Sequence, residues 1–277
     1  MQETRVQQSK KIFFHVGLAK TGTTYLQHKF FPKLKGIKYI QRTQYRNFKY
    51  VRIIKKTDFD KYLISNEFDR QLKKEVTNIA SVFPQAKIII VLRRHDSWIA
   101  SQYKRRIKNG YSFSFNEFID LENDQGFWKQ KDLCFYPMLQ MIERAFQSKP
   151  LVLFYHELRE DPYLFLEKIS NFLGASFDKE SVDLTPKHRA FNEKQLKVIR
   201  KFSRSLFSQD FQYSEKYWLS KIQRFLRMIP RYLILFSSLL VPDSFVESSP
   251  LIAEEELKKV RESFEEDWNK CLEYASR

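Results

Sequence analysis

Cysteine is nearly missing from this chain: two in 277 residues, Cys134 and Cys271, far apart and without metal-ligand spacing. That argues against a disulfide-stapled fold and a cysteine zinc site, and it fits a reducing compartment. Glycine and proline are scarce, at 6 and 9, which excludes collagen-like tracts and long structureless linkers. Acidic residues are in deficit, with 33 Asp and Glu against 49 Lys and Arg, a formal net charge of +16. Such a balance suits an anionic ligand, a polyanionic substrate, nucleic acid or a membrane surface, without choosing among them. The opening stretch MQETRVQQSKK has no apolar core behind its charges, so neither a signal peptide nor an anchor is expected there, and a cytoplasmic location is. What the chain has in quantity is apolar bulk. Its 43% hydrophobic content, with 26 Phe and 14 Tyr, is ample for a packed core in one large α/β domain or two small ones.

Compact apolar runs alternate with helical periodicity through the first two thirds. KIFFHV (11–16) ends at Gly17 and reads as a buried strand, and Tyr25, Leu26, Phe30 and Phe31 then recur at helical spacing. YLISNE (62–67) predicts a second strand, followed by a helix over 68–83. AKIIIVLRR (86–94), rich in β-branched residues, predicts a strand from the middle of a parallel sheet. The helix after it has Asp96 or Ser97 as cap and Asn109-Gly110 as stop. LVLFYHEL (151–158) predicts a last strand. DPYLFLEKISNFLG predicts a helix capped by Asp161, with Pro162 in its first turn and Gly174 at its end. Alternation of this kind implies an α/β fold with a parallel, doubly wound sheet flanked by helices. In such sheets ligands bind beyond the carboxyl ends of the strands, where the 17–24 loop, Glu67 and Arg93 all fall.

From about residue 180 the pattern is helical only. Residues 217–242 are unusually apolar, yet Arg224, Arg227 and Arg231 interrupt them, and their uninterrupted part is well short of the ~20 residues of a membrane span. Two readings stand side by side: a core-packing helix pair broken at Pro230, or a basic amphipathic surface that makes a peripheral membrane contact or meets a lipid-linked substrate. The final charged segment places Leu257, Val260, Phe264, Trp268 and Leu272 on one stripe, as a structural amphipathic helix would.

The stretch GLAKTGTT, residues 17–24, resembles a nucleotide-triphosphate loop with its lysine displaced: Thr23 follows the second glycine, and Lys20 lies inside the loop. A glycine-flanked turn that opens a helix offers unpaired N–H groups and the positive end of the helix dipole to an anion. The hydroxyls of Thr21, Thr23 and Thr24 add donors, and Lys20 adds a mobile charge. In VLRRHDSWIASQY, Arg93 ends a strand and Ser101 lies eight residues on, within about two turns of the next helix's start. Guanidinium and hydroxyl together would grip a phosphate.

These two stretches resemble the paired signatures of sulfotransferases that use 3′-phosphoadenosine 5′-phosphosulfate (PAPS). A third stretch matches the family's strand and helix of the type E-x-L-x-x-D-P…F-L-G through Glu157, Leu158, Asp161, Pro162, Phe172, Leu173 and Gly174. The resemblance covers landmarks over roughly 11–175. It implies a single domain over 1–277: a cofactor-binding, P-loop-like core at 11–175 and a mainly helical C-terminal part at 180–277. By the same resemblance Lys20, Thr21, Gly22, Thr23 and Thr24 hold the 5′-phosphosulfate, Arg93 and Ser101 hold the 3′-phosphate, and no metal is used. An acceptor hydroxyl needs a general base, and relatives use Glu or His. Glu67 is the candidate here; the alternative has Asn66 capping the next helix and Glu67 facing its dipole. His95 and His15 read as local or core structure. Lys187, His188 and Arg189 lie where relatives bring a basic segment over the cofactor. The expected acceptor is a hydroxyl or amine on a carbohydrate or glycolipid, with a small phenol or lipid alcohol second. A P-loop kinase would need a lysine where Thr23 stands. A nucleic-acid binder has only the charge in its favour, with no zinc spacing, RNA-binding aromatic signature or clear helix-turn-helix.

Overall fold

The structure, a computed structural model, describes residues 10–185, 191–207, 212 and 214–277. Five strands form one sheet: β1 (Lys11–His15), β2 (Lys38–Ile40), β3 (Lys61–Ser65), β4 (Lys87–Leu92) and β5 (Leu151–Phe154). The helices, in chain order, are α1 (Thr23–Tyr25), α2 (Lys49–Lys56), α3 (Leu72–Val82), α4 (His95–Lys108), α5 (Phe115–Phe118) and α6 (Phe135–Phe146). They continue with α7 (Tyr155–Glu160), α8 (Pro162–Leu173), α9 (Glu193–Leu206), α10 (Tyr217–Ser237), α11 (Glu254–Ser263) and α12 (Glu265–Ser276). The described chain divides into two compact units: one of residues up to Arg94, Cys134–Lys187 and Glu265–Arg277, and one of His95–Leu133 and His188–Phe264.

The first unit contains the sheet. Its order is β2-β3-β1-β4-β5 and every pairing is parallel. Strands covered on both faces carry near-continuous apolar runs, and β4 is buried from Ile88 to Leu92. On one face Phe13, Leu63, Ile89, Val91 and Leu153 pack with Phe165, Leu166 and Ile169 of α8. Each fully buried side chain of this kind contributes about 1.5–3 kcal/mol. From β1 the chain turns toward β2, and from β4 it turns toward β5. The connections therefore diverge at the carboxyl ends of β1 and β4, the place where an open α/β sheet leaves a crevice for a ligand.

Several boundaries depart from the sequence expectation. β2, α2, α5 and α6 were not expected; β2 has three residues, too few to show a period. The run LVLFYHEL is strand only through Phe154. At Tyr155 it turns into α7, because the Glu157 carboxylate accepts the Phe154 N–H at 2.8 Å and so starts a helix. The helical stretch 23–33 is α-helical only at Thr23–Tyr25, widens to a π turn at Leu26–Phe30 and tightens to 3₁₀ at Phe31–Lys33. α8 has the predicted ends: Asp161 caps it by accepting from Leu164 N at 2.9 Å, and Gly174 closes it at φ 55°. Both cysteines are free thiols, Cys134 half-buried and Cys271 buried.

The C-terminal amphipathic segment is two helices, α11 and α12, separated at Phe264. Val260, Phe264, Cys271 and Tyr274 are buried, whereas Leu272 is among the exposed residues, so the predicted stripe shifts at the break. In the first unit Asp267 of α12 caps α6, accepting from Phe135 N at 2.8 Å and Tyr136 N at 3.1 Å. Tyr274 donates to Glu143 at 2.8 Å.

In the second unit α4 packs with α9 and α11. Arg261 Nε donates to Asp96 Oδ2 at 3.0 Å, and Trp98 meets Trp128 edge to face. α10 is one helix that contains Pro230 without ending there, so the expected helix pair is a single element. Of its residues only Leu235 is fully buried.

Candidate active site

β1 delivers the chain to the 17–24 loop, and sheet hydrogen bonds follow it past the strand end. Val16 N donates to Ile89 O at 3.0 Å, Leu18 N to Val91 O at 3.1 Å and Val91 N to Gly17 O at 2.7 Å, while Phe68 N donates to Val16 O at 3.0 Å. The loop is thus anchored to β4 on one side and to the segment after β3 on the other. Three of its residues have left-handed backbone: Gly17 at φ 115°, Lys20 at 68° and Gly22 at 84°. The Thr21 hydroxyl is buried and turned back into the loop, donating to Leu18 O at 2.6 Å. Asp69 Oδ1 accepts from Ala19 N at 3.1 Å.

Gly22 has no room for a side chain. A Cβ there would lie 2.7 Å from Leu158 Cδ2 and 3.4 Å from Tyr155 Cε2, both on α7. Close packing of α7 against the loop explains why glycine is required before the helical stretch opens. From Thr23 onward the first N–H groups of that stretch have no intrahelical acceptor, which leaves donors for an anion at the carboxyl end of β1.

Glu67 lies at the loop. Its Oε1 accepts from Thr23 Oγ1 at 2.7 Å and its Oε2 is 3.6 Å from Arg42 Nη1, with 13% of the side chain exposed. The alternative of Glu67 in a first helical turn does not hold, because α3 begins only at Leu72 with Gln71 as its cap. Arg93, just past β4, donates from Nη1 to Lys20 O at 3.2 Å. Its guanidinium lies 4.7 Å from the Tyr155 ring centroid, in cation–π contact. Lys20 itself is exposed. Lys20, Thr21, Gly22, Thr23, Thr24, Glu67 and Arg93 all belong to the first unit, around the ends of β1, β3 and β4. Ser101 is half-buried on α4, in the second unit. Lys187, His188 and Arg189 lie outside the described residues.

Two histidines are structural. His15 is fully buried beneath the loop; its Nδ1 is 2.8 Å from Ser65 Oγ, which also accepts from Gln27 Nε2 at 3.0 Å. Burial pushes its imidazole down to about 3, so it stays neutral. His95 is buried, with Nε2 2.9 Å from Leu133 O and its ring stacked on Phe264. Sequence reasoning missed Arg42, Asp69 and Tyr155, and had Leu158 only as a landmark of the family's third stretch. Each acts by supporting the loop or its neighbours, and Tyr155 was hidden in a run that read as strand. Among the described residues no group of three or more His, Cys, Asp or Glu gathers to hold a metal ion.

The sulfotransferase domain family matches residues 10–223. The chain belongs to that family: it is a PAPS-dependent sulfotransferase, and PAPS is its sulfuryl donor. A crystal structure of a sulfotransferase from Alicyclobacillus acidocaldarius shares the fold at TM-score 0.53 and 17% identity, over 70% of this chain and 92% of that one. Mouse sulfotransferase SULT7A1 complexed with PAP aligns over 96% of this chain and 87% of its own at 15% identity and a TM-score of 0.38. No curated protein matches the chain.

Proposed function

We propose that the enzyme transfers the sulfuryl group of PAPS to a hydroxyl of a carbohydrate or glycolipid in the cytoplasm, with Glu67 as the general base. The observation that carries this reading is the 2.7 Å hydrogen bond from Thr23 to Glu67, which puts a carboxylate against the loop assigned to the phosphosulfate. Gly22, Thr23 and Thr24 present N–H groups and Thr24 a hydroxyl to the 5′ end, the Thr23 hydroxyl being given to Glu67, and Thr21 holds the loop's shape through Leu18. Lys20 neutralises the charge that develops on the bridging oxygen as the sulfur–oxygen bond breaks. Fixed donors aimed at developing charge supply most of the rate in a reaction of this type. Glu67 takes the acceptor proton as the acceptor oxygen bonds to sulfur, and adenosine 3′,5′-bisphosphate leaves. Arg93, held at the loop by Lys20 O and Tyr155, is assigned to the 3′-phosphate; its sequence spacing assigns Ser101 the same role. The whole chain acts as one sulfotransferase domain.

The test is transfer of labelled sulfate from PAPS to a panel of oligosaccharides, glycolipids and phenols. Label is expected on the glycans, and Glu67→Gln should lower turnover by about 10²–10⁴ while bisphosphate binding persists. Label confined to phenols would overturn the acceptor class. Full turnover by Glu67→Gln would overturn the base.

A further inference from the structure

α10 is built inside out. Its arginines at 227 and 231 face the protein and are half-buried, with the Arg231 guanidinium 5.3 Å from the Phe207 ring centroid in the same unit. The helix is fastened on that side by Leu235, whose side chain is fully buried and whose carbonyl accepts from Gln195 Nε2 at 2.9 Å. On the opposite side Trp218, Ile222, Phe225, Ile229, Leu233 and Phe236 recur at intervals of three and four residues, which is one continuous stripe. These six side chains are 43–66% exposed. The stripe continues past the helix end through Leu239 and Leu240, the latter 86% exposed. Single exposed leucines are ordinary, but a contiguous apolar stripe of this length marks an interaction surface.

The charge around the stripe selects the occupant. From Lys216 to Pro242 there are five basic residues and no Asp or Glu, and Lys216, Lys221 and Arg224 are exposed. A second copy of this chain, docked stripe to stripe, would bring two such acid-free segments together. A bilayer with anionic headgroups instead accepts the apolar side chains at the depth of the acyl boundary and pairs the exposed lysines with its phosphates. Trp218 and Tyr217, at the helix start and 60% and 65% exposed, are side chains suited to the headgroup level. No described helix is long and apolar enough to cross a membrane, so the helix would lie along the surface. We propose that the outward face of α10 docks the enzyme on an anionic membrane surface, lying in the interface plane. This inference is independent of the acceptor.

The full chain is sedimented with phosphatidylcholine vesicles, with and without about 30% phosphatidylglycerol, at about 0.1 M salt. The expected result is a bound fraction roughly tenfold higher on the anionic vesicles. It should be accompanied by a blue shift of tryptophan fluorescence that Trp218→Phe removes without releasing the protein. The triple variant Phe225→Ser, Leu233→Ser, Phe236→Ser should return to solution while keeping its circular dichroism and urea midpoint, because all three positions are exposed. Failure of the wild-type chain to sediment with anionic vesicles would overturn the proposal. So would equal sedimentation of the folded triple variant. A wild-type dimer in vesicle-free buffer that the triple variant abolishes, with no vesicle binding, would assign the face to a second copy instead.

Discussion

Placing a methyl group on Gly22 perturbs the loop and little else, and a second glycine provides the control. At Gly22 the backbone has φ 84° and a new Cβ lies 2.7 Å from Leu158 Cδ2. At Gly36 φ is 79° and nothing lies within 4 Å of the Cβ. Both Ala variants incur the left-handed backbone penalty of about 1–2 kcal/mol. Both also regain roughly 0.4–1 kcal/mol because alanine restricts the unfolded chain. Gly36→Ala should therefore lose no more than about 1.6 kcal/mol. Gly22→Ala must in addition move Leu158 or the loop; Leu158 is a side-chain end that can rotate, so overpacking adds about 1–3 kcal/mol. Urea unfolding measures the two costs, and calorimetry with adenosine 3′,5′-bisphosphate measures the loop. Gly22→Ala should be less stable than Gly36→Ala by about 1–3 kcal/mol and bind the bisphosphate at least about tenfold more weakly, which is a loss of roughly 1.4 kcal/mol. Gly36→Ala should bind as the wild type does. Equal stability and unchanged binding in the two variants would refute the packing of α7 on the loop and the assignment of that loop to the nucleotide.

Lys20→Ala exchanges one side chain for another at the same positive φ, so its stability should be close to wild type. Its turnover with PAPS should fall by about 10²–10³, measured as bisphosphate released with a working acceptor. His15 has its pKa lowered from 6.5 to about 3 by burial, so between these values the unfolded chain holds the extra proton. Stability is therefore present above pH 6.5 and lost as pH falls, with a contribution of up to about 1.4 kcal/mol per pH unit. Urea midpoints at stepped pH should show a shallower slope in His15→Asn. Asp267→Ala removes the carboxylate that caps α6 and should cost about 1–2 kcal/mol in urea unfolding, with Asn at that position retaining part of the loss.

The sheet was legible because its strands are short apolar runs closed by turn residues. Gly17 ends KIFFHV, and the β-branched run of β4 could hardly face solvent. β2 was not, since three residues of KYI carry no pattern and owe their conformation to pairing with β3. The loop was read from residue types at fixed spacing, which the sequence displays directly. Its supports could not be read that way. Asp69 and Arg42 reach the loop region through the fold, and Tyr155 meets Arg93 only because Glu157 turns the chain into a helix at Tyr155. Glu67 was ambiguous until the start of α3 was located at Leu72. In α10 the composition suggested amphipathicity, but which face turns outward depends on what α9 offers it, and that lies outside any local pattern.

The most direct test of the central claim is calorimetric titration of the full chain with adenosine 3′,5′-bisphosphate, with magnesium-ATP as competitor. The bisphosphate should bind, magnesium-ATP should not displace it at equal concentration, and Arg93→Ala should weaken the bisphosphate by the roughly 1.5–3 kcal/mol of a charged hydrogen-bonded contact. Preferential binding of magnesium-ATP would contradict the account and return the loop to a phosphoryl-transfer enzyme.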